Sequence, residues 1–163
     1  MEVIDNFLDK DNFKILQDNL LSYNFPWYLT DGVNVVGDEF FQFNHHFYKE
    51  FKIMSHLYDL VEPLIKKIDP ISLIRIKANL LTKTEKIIEH GMHIDQSGKS
   101  IPKSKTAIFY CNSNNGYTKF ENGKKIESIE NRLVIFNNNL YHSGSTCTDK
   151  KVRIVININY FPR

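Results

Sequence analysis

The chain has 163 residues, 42% hydrophobic and 13% aromatic, with 21 Lys and Arg against 19 Asp and Glu. That is long enough for one domain with its own core, and the composition excludes an intrinsically disordered chain. A formal charge of +2 with both signs interspersed gives no electrostatic footprint for nucleic acid.

The basic clusters (Lys66-Lys67, Lys99 to Lys105, Lys124-Lys125 and Lys150 to Arg153) are short and read as solvated loops or strand ends. No stretch approaches the ~18 apolar residues of a membrane span. The opening Met1-Glu2-Val3-Ile4-Asp5 lacks a basic segment followed by an apolar run, so a cytoplasmic protein with no membrane partner is expected. Cys111 and Cys147 form no CxxC pair; they read as reduced thiols, with a single disulfide the alternative.

Val3 to Leu8 reads as a short strand. Asp9 or Asp11 then caps a helix whose apolar stripe is Phe13, Leu16 and Leu20. Pro26 breaks it, and the next segment ends at the turn signal Asp31-Gly32; Trp27 within it is either a packing anchor or a lid. His45 and His46 have no carboxylate nearby in sequence and read as hydrogen-bonded structural residues. Ser55 caps a second helix carrying Leu57, Leu60, Val61, Leu64, Ile65 and Ile68, and Pro63 inside it predicts a kink or a restart. Residues 1–70 are thus expected to be mostly helical, a support laid on a sheet.

From Ile71 the period changes to two. Leu73, Arg75, Lys77 and Asn79 alternate with Ile74, Ile76, Ala78 and Leu80. Further strands are expected at Ile87-Ile88, His93-Ile94-Asp95, Thr106 to Cys111, Tyr117 to Phe120, Arg132 to Phe136 and Val152 to Tyr160. Ser97 to Lys105 reads as a loop, a candidate lid, and Asn122-Gly123 as a hairpin turn. Roughly eight short strands after two helices give an α+β, mainly β fold. The expected architecture is a double-stranded β-helix, or jelly roll, over 71–163, with the N-terminal helices packed on one sheet of a single domain spanning 1–163.

His93 and Asp95, one residue apart, project to one side of a strand, and an imidazole beside a carboxylate is two thirds of a metal site. Six histidines among 19 acidic residues in 163 would give such a pair by chance about 0.7 times, so the pair alone decides nothing. His142, after a polar loop, offers a third ligand or is a loop histidine bonded to backbone. Two imidazoles and one carboxylate with open positions suit non-haem Fe(II), and no fourth Cys or His stands where structural zinc would want it. Arg153 lies eleven positions later (153 − 142), on a strand face shared with Val155, Asn157 and Asn159. A guanidinium entering an otherwise apolar strand calls for a buried anion, and its planar fork matches a carboxylate. A dicarboxylate chelating iron at one end and pairing with Arg153 at the other satisfies both.

These residues resemble the 2-oxoglutarate- and Fe(II)-dependent dioxygenases, particularly the prolyl-4-hydroxylase-like branch. The resemblance runs from about Leu73 to the C-terminus and takes in His93-x-Asp95, His142, Arg153, Tyr110 and Asn115-Gly116-Tyr117-Thr118-Lys119-Phe120. The last is similar to that branch's Gly-Gly-Glu-Thr-x-Phe, with Tyr117 where the acidic residue usually stands, and Asn131 replaces the Pro or Gly favoured before Arg132. It implies that His93, Asp95 and His142 hold Fe(II) and that 2-oxoglutarate chelates the metal while Arg153 takes its distal carboxylate. It further implies that dioxygen is consumed with release of succinate and CO2 as a C–H bond is hydroxylated. Tyr110, Asn79 and Asn157 are the further candidates for binding 2-oxoglutarate, Tyr110 being equally readable as core. His90 is expected to fall outside the site. The substrate is a small molecule or a peptide, with a prolyl residue suggested by the branch. A cupin-like module binding metal and dicarboxylate without turnover is the alternative, and a zinc hydrolase with the same open triad a third.

Overall fold

In the computed structural model, residues 1–33, 39–95 and 103–163 are described. The alternation from residue 72 onward produces strands β5 (Ser72–Thr82), β6 (Lys105–Tyr110), β9 (Arg132–Asn137) and β11 (Val152–Phe161). Together with β1 (Glu2–Ile4), β2 (Tyr28–Asp31) and β3 (Phe41–Lys49) they form a sheet in the order β1-β9-β6-β11-β5-β3-β2, with β4 (Lys52–Ile53) paired to β3. A second sheet, β10-β7-β8, is made of His142–Gly144, Tyr117–Phe120 and Lys125–Glu127. Every pairing is antiparallel, and the two sheets face each other as a jelly roll.

Strand β11 lies between β5 and β6 and shows why the fold has two cores. Ile154, Ile156 and Ile158 point outward, each nearly fully buried against the helical side, with Ala107, Phe109 and Leu133 from neighbouring strands. Helix α1 (Lys10–Leu20) closes that face through Leu16 and Leu20, and Phe13 meets Phe109 edge to face at 6.2 Å. Helix α2 (Glu62–Ile68) adds Leu64. The opposite face of the large sheet sends Ile108, Tyr110, Val134, Phe136 and Val155 against Phe120 and Ile126 of the small sheet. Each such side chain contributes roughly 1.5–3 kcal/mol through burial.

The Asp9 side chain accepts the Asn12 N–H at 3.0 Å and caps α1 as expected. Ser55, expected to cap the second helix, does not: its Oγ accepts the Leu57 N–H at 3.0 Å in the turn before it, and neither the 3-10 turn that follows nor α2 has a side-chain cap. Pro63, lacking an N–H, restarts the chain as α2 after a 3-10 turn at Tyr58–Leu60, so the second helix is divided. Trp27 is a packing anchor: its ring lies 4.8 Å from that of Phe25 and its N–H donates to the Leu20 carbonyl.

Two further expectations need correction. Residues 1–70 are not mostly helical, since they contribute β1 to β4 as well as the helices. Strand β3 escaped a period-two reading because its register shifts between His46 and Tyr48, and this bulge interrupts the alternation. Likewise Ile87-Ile88 and His93-Ile94-Asp95 are not strands. The segment makes no continuous ladder with the small sheet: its backbone meets it at the isolated bridges Glu89↔Ser145 and His93↔His142, and the Glu89 carboxylate is held by Tyr117, Lys119 and Lys125. The loop expected at Ser97 to Lys105 lies, as far as residue 102, outside the described residues.

Candidate metal centre

Backbone pairing brings the two histidines together. The His93 N–H donates to the His142 carbonyl at 2.9 Å and the His142 N–H returns to the His93 carbonyl at 3.0 Å, placing the ring centroids 4.8 Å apart. Asp95 follows two residues later and turns its carboxylate between them, with Oδ1 3.7 Å from His93 Nε2 and 3.8 Å from His142 Nε2. The three ligand atoms lie within 4.8 Å of one another, and they form the one such group among the described residues.

The ring nitrogens are already sorted for ligation. His93 Nδ1 meets the Gly91 carbonyl at 3.2 Å and His142 Nδ1 the Leu140 carbonyl at 3.1 Å. A carbonyl only accepts, so Nδ1 of each ring carries a proton and Nε2 is the nitrogen turned to the centre for ligation. Burial lowers the pKa of His142 and keeps the ring neutral, with Phe136 at 4.9 Å and Phe120 at 6.1 Å packed around it. Its Nε2 is buried and has no hydrogen-bond partner among the described residues.

Burial by itself would raise the pKa of Asp95, whose side chain is 4% exposed. The close approach of His93, the charge of Arg75, the neighbouring His142 and the hydrogen bond from Asn159 outweigh it and hold the carboxyl well below the usual carboxylate range. Arg75 Nη2 stands 3.4 Å from Asp95 Oδ1, and Asn159 Nδ2 donates to Oδ2 at 3.1 Å. Arg75 in turn donates from Nε to Asn159 Oδ1 at 3.0 Å, so the two supports brace each other. Two imidazoles with Nε2 turned inward beside an ionised carboxylate, one of those nitrogens buried without a partner among the described residues, fit a divalent cation.

The triad opens into a cavity of ≈ 200 Å³ on the inner face of the large sheet, which also contains Asn79, Asn157 and Arg153. Arg153 is 3% exposed and has no carboxylate partner among the described residues. Its Nε donates to Ser128 Oγ at 2.8 Å and Nη2 to Thr118 Oγ1 at 3.3 Å, while the Tyr110 ring lies 5.7 Å beneath the guanidinium. Burial pulls its pKa down. Gly116 explains its own presence. A Cβ there would stand 2.7 Å from Arg153 Cδ and 2.7 Å from the Thr146 carbonyl.

Sequence reasoning located the cluster and the arginine, and Asn79 and Asn157 both line the cavity, each with a buried Oδ1 that has no partner among the described residues. Tyr110 does not line it. The tyrosine hydroxyl donates to Thr118 Oγ1 at 2.8 Å, so the side chain supports Arg153 from below instead of facing the cavity. His90, expected outside, is 6% exposed and lines the cavity wall, although it is not in the ligand cluster. The Gly144 carbonyl takes its N–H at 3.0 Å and turns the segment inward. Arg75 and Lys77 stand on the polar face expected for β5 and Asn159 on the Arg153 face of β11, but the sequence holds no signal for which of them meets Asp95. His45 is structural as expected, held by the Pro26 carbonyl at 2.9 Å and Ser55 Oγ at 2.8 Å.

No family model matches the sequence, and no curated protein matches it. Solved structures do. The viral collagen prolyl hydroxylase of Paramecium bursaria Chlorella virus-1, in its 2-oxoglutarate complex, superposes with a TM-score of 0.62 at 14% identity, covering 99% of this chain and 96% of that one. A Trichoplax adhaerens prolyl hydroxylase, in complex with a hypoxia inducible factor peptide fragment, gives 0.63 at 17% identity over 98% of this chain and 82% of that one. The non-heme alpha-ketoglutarate-dependent carbocyclase of nogalamycin biosynthesis gives 0.70 at 11% identity over 98% and 78%. At such identities the likeness establishes the fold: the chain has the double-stranded β-helix of the prolyl hydroxylases and 2-oxoglutarate/Fe(II) oxygenases.

Proposed function

We propose that this protein is a 2-oxoglutarate- and Fe(II)-dependent dioxygenase that hydroxylates a C–H bond and releases succinate and CO2. The observation that carries the reading is the conjunction, in one cavity, of an open His-Asp-His cluster and a buried guanidinium without a carboxylate partner among the described residues. Either feature has other uses. Together they fit a metal-chelating dicarboxylate.

His93 Nε2, Asp95 and His142 Nε2 would hold Fe(II), leaving positions for 2-oxoglutarate and dioxygen. Iron supplies the oxidative chemistry when bound. The chain's own residues bind, orient and exclude water. Arg153 takes the distal carboxylate with a fork already oriented by Ser128 and Thr118, so little rotamer freedom is lost on binding. Asn79 and Asn157 offer hydrogen bonds on the cavity floor. Ile108 and Val155 keep the floor between the polar groups dry. The substrate is a small molecule or a peptide; among proteins of this fold, one is a prolyl hydroxylase in complex with a peptide and another a carbocyclase. Both cysteines are free and buried, which supports a reducing, cytoplasmic setting, and no described helix is long and apolar enough to cross a membrane.

Titration calorimetry under argon separates the roles. Asp95→Ala is expected to abolish Fe(II) binding. Arg153→Ala should retain the metal and weaken 2-oxoglutarate by ~2–5 kcal/mol, roughly 30-fold or more. Unchanged 2-oxoglutarate affinity in Arg153→Ala contradicts the proposal.

A further inference from the structure

The cavity carries more positive charge than the proposed co-substrate uses. Among its described lining residues are three cations, Arg75, Lys77 and Arg153, and one carboxylate, Asp95. Arg75 is committed to Asp95 and Asn159, and Arg153 is the anchor assigned above. That leaves Lys77. It projects from the centre of β5 onto the inner face, opposite Asn157 on β11 and His46 on β3. No hydrogen bond or ion pair engages its ammonium among the described residues, although burial, then the charge of Arg75, draws its pKa down to about 8. Asp95 is the carboxylate whose field favours the ammonium, but that carboxylate is already engaged by Arg75 and Asn159, so Lys77 has no counter-ion of its own among the described residues.

Its place in the sheet separates it from the co-substrate anchor. Lys77 is level with Asn157 on one side and His46 on the other, two alternations along the sheet from Arg153 and one strand across. The covering strands of the small sheet lie elsewhere: Thr118 is over Arg153, and His142 sits against Phe120 and Phe136. A dicarboxylate with one end on the metal and the other on Arg153 has no further carboxylate to give.

We infer that Lys77 is the seat for an anionic group of the primary substrate, which is therefore an acid bearing a carboxylate or phosphate and not a neutral prolyl segment. This rests on the oxygenase reading for the place of the co-substrate, and the test keeps the two apart.

Thermal shift and calorimetry are run on protein loaded with Mn(II) and 2-oxoglutarate, titrated with acetate, propionate, L-proline, L-prolinamide, a doubly capped prolyl peptide and inorganic phosphate. At least one anion is expected to bind the loaded protein, with the amide and the capped peptide at least ten times weaker. Lys77→Gln should weaken that anion about 10- to 100-fold while leaving the 2-oxoglutarate affinity as in wild type, and Lys77→Arg should restore most of the binding. Absence of any anion binding to the loaded wild type overturns the inference, as does binding that survives Lys77→Gln. A parallel loss of 2-oxoglutarate affinity in Lys77→Gln also overturns it, because Lys77 would then be a second co-substrate contact. If loading itself produces no shift, the oxygenase reading falls instead, and the same anions titrated into unloaded protein still decide for or against Lys77.

Discussion

The chemistry assigned to His93, Asp95 and His142 depends on side chains that never touch a metal. Asn159 and Arg75 hold the Asp95 carboxylate at the angle where both imidazoles reach it, and backbone carbonyls at Gly91 and Leu140 fix both ring tautomers. Removing the first support by Asn159→Ala should lower metal affinity about 10–100-fold without unfolding the chain, as titration with Fe(II) under argon would show. An affinity equal to wild type would mean that Arg75 alone positions the carboxylate. Gly116→Ala probes the other end of the cavity. A methyl 2.7 Å from both Arg153 Cδ and the Thr146 carbonyl forces the arginine to move, so 2-oxoglutarate should bind more weakly while metal binding persists. At this scale the sequence was informative where residue chemistry is rare: an arginine in an apolar strand and a His-x-Asp pair stand out against their surroundings. Tyr110 shows the limit. Whether its hydroxyl faces a ligand or a buried threonine depends on the register of β6 against β7 and on side-chain direction, neither of which the local sequence encodes.

At the scale of elements, the segment 87–95 and strand β3 carry the main surprises, and both are irregular for a reason. The first reaches the small sheet through two isolated bridges and the Glu89 carboxylate instead of a ladder, and within it His90 lines the cavity wall while Asp95 comes back between the histidines. The bulge of β3 sits beside His46, whose ring faces Lys77 across the pairing. Burial first, and then the charges of Lys77, Arg75 and Lys49, lowers the pKa of His46 to about 4. An unfolded chain takes up that proton nearer the ordinary value of ~6.5 and so binds more protons than the folded one between these limits. The stabilising contribution is complete above pH ~6.5 and is lost as pH falls toward 4. Urea denaturation of His46→Asn should therefore show a flatter fall in stability between pH 6.5 and 4 than wild type. Identical slopes would mean that His46 titrates freely. Asn131 is another element-level device. It holds φ 59° and clamps the Leu8 backbone at both N–H and carbonyl, at 2.8 and 2.9 Å, which ties the chain's start to the turn before β9. A polar residue that tolerates the left-handed region and can bond on both sides serves there where a Pro could not.

Over the whole molecule, the period-two alternation of β5, β6, β9 and β11 was enough to place one hydrophobic core under the helices and a second between the sheets, with the polar inner face left for the site. The sequence could not supply long-range order: which strand lies beside which follows from pairings such as Arg153↔Leu81 and Asn157↔Lys77, whose partners are some seventy to eighty positions apart, too distant for local patterning to report. The same topology explains how four positions scattered from residue 93 to residue 153 come to line one cavity of ≈ 200 Å³. Turnover of 2-oxoglutarate at iron in this cavity would be reported by succinate release. Protein reconstituted with Fe(II) without oxygen, given 2-oxoglutarate and then exposed to oxygen, should form succinate above a metal-free control, and Asp95→Ala should reduce it to that control. Succinate no higher than the metal-free control, with metal and 2-oxoglutarate both shown to be bound, would contradict the account.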